Sequence, residues 1–272
     1  MNLQNIISEI EKVDGEVFDR MAHVSRRGLF SSLTKKTIAV AAPAVMASMF
    51  NKAYGNHIPA NVADVFNFAL ALEYLEYRFY DIGNNLSMIP SAYKDAFEVI
   101  RRHEQVHVRL LQSVLLTAAI PEPKFDFSAG GIFTDTFSNF QTFAAIAQTF
   151  EDTGVRAYKG QAPNLMNAPA YLQVALQIHA TEAAHAANVR YLRGQKGWIT
   201  GGTAAMQGLP AVVNGNYAGE ENVVQAGVNL ANALVGNASL KIPITMDMVT
   251  ESFDEPLTKD QVLAVVAPFF AK

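Results

Sequence analysis

The sequence predicts an all-α protein: a four-helix bundle of two antiparallel hairpins joined by one crossover, followed by a C-terminal loop-and-helix appendage. Three observations lead there. Between residues 61 and 194, apolar residues recur at three- and four-residue steps in four long windows. Gly and Pro clusters separate those windows by a short, then a long, then a short connection. Glu73, Glu104 and His107 recur as Glu151, Glu182 and His185, all with one offset of 78.

Each element follows in order. The first helix runs from Asn61 to about Leu86, with Phe66, Leu70, Glu73, Tyr77 and Tyr80 on one face. Pro90 and Ser91 open the second, with Ser91 as N-cap, and its apolar stripe passes through Phe97, Ile100, Val106, Leu110 and Leu111 to about Ala118. Pro121, Pro123 and the pair Gly130–Gly131 make residues 119–132 a connection. A third helix is expected from about Thr134 to Lys159, closed by Gly160 as a C-cap residue, and a fourth from near Asn167–Pro169 to Gly194. Short loops make antiparallel hairpins, and one long connection between hairpins makes the crossover.

Residues 196–272 form the appendage. Gly201–Gly202 and Asn214–Asn216 mark loops, residues 222–235 a short apolar helix, and Thr258 with Gln261 a capping box that opens a last helix through Val262, Val265 and Phe269. Trp198 reads as an anchor for this segment, which has too few apolar residues for a separate core and is expected to cover one end or side of the bundle.

Composition narrows the chemistry. Half of the 272 residues are hydrophobic and 17% are charged, which fits a folded chain, and the net charge of −4 offers no basic footprint for nucleic acid. With no cysteine, disulfides, iron–sulfur clusters, thiolate zinc sites and cysteine nucleophiles are excluded. A bound metal would be held by carboxylate oxygen and imidazole nitrogen, which favours iron, manganese or zinc over copper(I).

Residues 1–55 read as an address. Ser25-Arg26-Arg27-Gly28-Leu29-Phe30 precedes Lys35–Lys36 and an apolar run from Thr37 to Phe50. That run is too short for a stable transmembrane span but suits a signal segment, with Ala53 and Gly55 offering a cleavage site. The paired arginines resemble a twin-arginine signal, which implies export of a folded chain to a bacterial periplasm. The domains expected are therefore 1–55, a bundle over 56–195 and the appendage over 196–272.

The repeat carries the functional argument. Glu and His three apart on a helix share one face, so Glu104 with His107, and Glu182 with His185, can each reach one metal ion. A bundle holding two ions needs two such pairs and one Glu from each remaining helix; Glu73 and Glu151 fill that place and are expected to bridge. Glu76 also could face inward, but the offset leads from it to Gly154, so Glu73 is preferred. Tyr80 and Tyr158 share the offset and lie two turns beyond Glu73 and Glu151. They are candidates to hydrogen-bond the ligand carboxylates or to act as redox groups. His103 is expected at the surface or behind a ligand, and His179 as a hydrogen-bonded core histidine.

Glu73 within Leu72-Glu73-Tyr74-Leu75-Glu76-Tyr77-Arg78-Phe79-Tyr80, both Glu-x-x-His pairs, Glu151 and the tail stretch Phe253–Leu257 resemble the ferritin-like domain proteins of the desiccation-related group. They are similar, more distantly, to rubrerythrins, bacterioferritins and manganese catalases. The resemblance spans about residues 60–195. It implies Glu73, Glu104, His107, Glu151, Glu182 and His185 as ligands of two Fe or two Mn ions per chain. It also implies oxygen or hydrogen peroxide as the small-molecule substrate, with ferroxidase, peroxidase or catalase-like outcomes all open. The alternative is a structural or stress-protective protein whose metals only stabilise the bundle. A homo-oligomer is compatible with the sequence.

Overall fold

The computed structural model describes residues 58–271 except 238, 239 and 241. The expected signal segment and His57 lie outside the described residues. Four long helices form the core: α1 (Ala60–Asn84), α2 (Ser91–Leu115), α3 (Phe140–Gln161) and α4 (Pro169–Leu192). Six residues join α1 to α2, and a short 3₁₀ turn over Ala162–Leu165 leads from α3 to α4, so each pair is an antiparallel hairpin. The crossover is residues 116–139, and across it α1 packs on α3 and α2 on α4. Among the described residues no helix is long and apolar enough to cross a membrane.

The helix ends differ from expectation in three places. Ser91 is the first helical residue and Pro90 the cap; no side-chain cap bond is made there, and the rigid φ of Pro90 sets the entry instead. The third helix starts at Phe140 and not at Thr134, because Asn139 is its N-cap and accepts from the Gln141 N–H. Residues 133–138 are spent on turns, with the Thr136 hydroxyl donating to the carbonyls of Phe127 and Phe133. Gly160 lies inside α3 and does not cap it. A Cβ there would fall 1.9 Å from the carbonyl oxygen of Leu257, so glycine is required by the close approach of the C-terminal chain. Gly194, by contrast, closes α4 with a positive φ of 73°.

Burial explains the differing character of the helices. α2 is amphipathic: Phe97, Ile100, Val108 and Leu111 face the core, while Arg102, His103 and Arg109 are exposed. α3 is buried on nearly every side from Phe143 to Tyr158, because the appendage covers the face that the other helices leave free. The appendage comprises β1 (Val224–Gln225) and β2 (Val228–Asn229), which form a small hairpin, then α5 (Leu230–Leu234), α6 (Met246–Thr250) and α7 (Lys259–Val266). The apolar helix expected over 222–235 is thus a hairpin followed by one helical turn, since Gly227 adopts φ 81° between the strands. The Thr258–Gln261 capping box is formed at the start of α7. Val262, Val265 and Phe269 are buried in one core cluster with Phe79, Phe143 and Phe150 of the bundle.

Buried ions fasten the appendage to α3 and α4. Arg156 is fully buried and donates to the carbonyls of Asn216, Ala218 and Glu255, with Glu220 3.1 Å away as its counter-charge. Arg190 grips both oxygens of buried Asp152 at 3.0 and 2.6 Å, and Tyr217 donates to the same carboxylate. Trp198 does not anchor by burial: it is half exposed, its indole N–H donates to Glu251 and its carbonyl accepts from Arg190.

Candidate metal centre

Each of the four long helices carries its acidic residue to the bundle axis. Glu73, Glu104, Glu151 and Glu182 have no exposed surface, and His107 and His185 retain only 7% and 5%. Their ligand atoms form two overlapping groups, each within 4.8 Å of one another: Glu73, Glu104, His107 and Glu182 in one, and Glu104, Glu151, Glu182 and His185 in the other. The fold therefore brings together all six residues singled out by the repeat.

The sharing differs from expectation. Glu104 and Glu182, not Glu73 and Glu151, belong to both groups. His107 Nδ1 lies 3.1 Å from Glu73 Oε2, 3.0 Å from Glu104 Oε2 and 3.2 Å from Glu182 Oε1. His185 Nδ1 lies 2.8 Å from Glu104 Oε1 and 3.3 Å from Glu151 Oε2. The two oxygens of Glu104 thus turn to different histidines. The reason is packing: α2 and α4 are neighbours across the bundle, so the carboxylates one turn from each histidine meet in the middle.

Tyr80 and Tyr158 act across the crossover pair. Tyr80 of α1 donates to Glu151 Oε1 of α3, and Tyr158 of α3 donates to Glu73 Oε1 of α1. Burial, reinforced by the neighbouring carboxylates, holds both phenols well above their ordinary pKa, so they stay protonated donors. Behind His185, its Nε2 lies 2.9 Å from Nδ1 of exposed His103. His179 bonds the carbonyl of Val155 and takes no part in the cluster.

The electrostatics reflect negative charge crowded in a dry interior. Burial raises Glu73 to about 7, and it raises Glu182 and Glu76 well above the carboxylate range, helped by the facing carboxylates. Burial opposes charge on the histidines, but Glu73 and Glu104 outweigh it at His107, and Glu151 and Glu104 raise His185 to about 11. Glu104 alone is lowered, because both imidazoles offset its burial.

Five ligand atoms nonetheless make no hydrogen bond of proper geometry: Glu104 Oε1, Glu151 Oε2, both oxygens of Glu182 and His185 Nδ1, and of the four oxygens Glu182 Oε2 lacks even an imidazole nitrogen within ion-pair distance. Buried acceptors without donors are rare in native proteins. A cation between them would answer each one, so the donor set fits metal ions.

Glu76 is the residue that sequence reasoning set aside. It is 3% exposed, and burial and the carboxylates of Glu182, Glu151, Glu104 and Glu73 all weigh on it. The Glu73-x-x-Glu76 spacing, which puts both on one helix face, is the signal that could have kept it.

Residues 61–195 match the ferritin-like domain family. No curated protein matches the chain. The matched segment contains all four long helices and all six residues of the repeat, and so the bundle that carries this cluster belongs to the ferritin-like domain family.

Proposed function

We propose that the bundle holds two iron or two manganese ions and is an oxidoreductase toward oxygen or hydrogen peroxide. One observation carries the reading: five buried ligand atoms that converge from α2, α3 and α4 and make no hydrogen bond of proper geometry. An uncompensated buried charge destabilises a fold by several kcal/mol, so four fully buried glutamates on one axis call for cations. Glu73 and His107 would hold one ion and Glu151 and His185 the other, with Glu104 and Glu182 between them.

Such a pair of ions supplies redox equivalents and a place to bind the oxidant. The protein's own share is positional. The phenols of Tyr80 and Tyr158 fix Glu151 and Glu73, His103 orients the ring of His185, and the apolar walls of α1 and α3 keep bulk water out. Export of the folded chain belongs to the same proposal and is supported by Arg26–Arg27 and the apolar run that follows them.

The test is consumption of hydrogen peroxide, and of oxygen with ferrous iron, by chain loaded with manganese or iron. Turnover lost in Glu151→Ala supports the reading. A second reading, metals that only stabilise the bundle, is favoured by the complete burial of the four carboxylates. It predicts a metal-dependent rise in melting temperature with no consumption of either oxidant.

A further inference from the structure

The internal repeat is strict in the metal ligands and unequal in the apolar residues around them. The offset of 78 pairs Val65 with Phe143, Leu72 with Phe150, Phe79 with Ala157 and Phe97 with Ala175. The four phenylalanines all gather around the contact of Tyr80 with Glu151. They are buried there, with Phe143 stacked on Phe79 at 4.5 Å, Phe150 5.2 Å from Phe79 and Phe97 5.3 Å from Phe143. Their smaller counterparts surround the equivalent contact, Tyr158 with Glu73.

At that second contact a small hollow remains between α1, α3 and α4. Val65, Ala69, Leu72, Ala157, Tyr158 and Ala175 wall it, all of them buried, and the surface they present to it is apolar. Its volume of about 10 Å³ has room for one small molecule. Water needs several polar partners and finds none on these walls, so the hollow is dry. Native interiors leave few such voids, and this one is bounded by an alanine from each of three helices. Tyr158 joins it to the metal centre: its hydroxyl donates to Glu73 Oε1, and Glu73 Oε2 lies 3.1 Å from His107.

We infer that the hollow is a holding site for dioxygen beside the Glu73 and His107 end of the centre, and that Ala157 and Ala175 keep it open. The inference rests on the oxidoreductase reading above and chooses between its two oxidants. Dioxygen is small and apolar, and it gives up no hydrogen bond on leaving water for such walls. Hydrogen peroxide would leave its donors and acceptors unpaired there. The Tyr80 and Glu151 end has the matching ligands but no matching space, because the phenylalanines fill it.

Two measurements on the full chain test this, each beside Ala157→Val and Ala175→Val, which fill the hollow from different helices. The first is xenon NMR of the metal-free protein, since xenon enters dry apolar holes. The second is stopped-flow oxidation of protein-bound ferrous iron by dioxygen and, separately, by hydrogen peroxide. Circular dichroism checks folding, and if one variant misfolds the other decides. The unaltered chain should bind xenon and the variants should not. The variants should oxidise iron about tenfold more slowly with dioxygen, yet within about twofold of the unaltered rate with peroxide, because only the held oxidant loses its proximity. No xenon on the unaltered chain, or variants in which both rates fall alike or neither falls, overturns the inference and leaves the two-metal reading intact. An unaltered chain that binds no iron, or whose iron neither oxidant attacks, overturns both.

Discussion

Glu182 carries both of its oxygens into an interior where only the His107 imidazole comes near one of them, and its neighbours Glu73, Glu104 and Glu151 are equally enclosed. In metal-free protein this crowding sets a definite pH dependence. A carboxyl whose folded pKa is raised contributes stability present below its ordinary value near 4.5 and lost as pH rises through the folded value, about 7 for Glu73. His185 contributes stability present below 6.5 and lost as pH rises through about 11. Only Glu104 among the ligands has the opposite sign, its contribution being present above 4.5 and lost at lower pH. Chelated protein should therefore melt several degrees higher at pH 5 than at pH 8, whereas metal-loaded protein should show the reverse, because protons compete with metal for the same atoms. Scanning calorimetry at both pH values decides it, and a metal-free chain that is more stable at pH 8 contradicts the account. The tyrosines act on affinity. Tyr158→Phe leaves Glu73 without its donor and should lower manganese affinity by about 10–100-fold with helicity unchanged, as should Tyr80→Phe through Glu151. Unaltered affinity in both would reduce these phenols to packing.

α3 is the element on which bundle and appendage are both built. One of its edges presents Glu151 and Tyr158 to the metal centre, another presents Arg156 and Gly160 to residues 216–257. A methyl group at position 160 has no room against the Leu257 carbonyl, so Gly160→Ala should destabilise the chain by about 1–3 kcal/mol as the appendage shifts. Arg190→Ala is more severe, since it leaves buried Asp152 without its counter-charge and with only the Tyr217 hydroxyl as donor, and about 3–5 kcal/mol is expected. Urea unfolding measures both. A loss within about 0.5 kcal/mol in Gly160→Ala would mean that the appendage is not part of the cooperative core, and the same small loss in Arg190→Ala that the buried Asp152 charge does not depend on this arginine.

Over the whole molecule, what was legible from sequence is what the repeat encodes. A fixed offset picks out one face on each of four helices, so the bundle, its short and long connections and the convergence of six residues on one axis could all be read before any contact was known. What could not be read depends on distances between helices. Which glutamates are shared is decided by the packing of α2 on α4, and Glu76 fits because Gly154 is small, which is the very mismatch that counted against it. The start of α3 was misplaced because Asn139 caps it after turns that no apolar period marks, and the depth of the appendage was hidden because buried arginines fasten it beside the apolar contacts of α7. The central claim is that the convergent carboxylates and imidazoles hold two ions. Elemental analysis of the chain purified without added metal, beside Glu104→Ala, tests it most directly. Two iron or manganese per chain, lost in the variant, is the predicted result; metal absent from the unaltered chain even after reconstitution, or equal in both proteins, would contradict it.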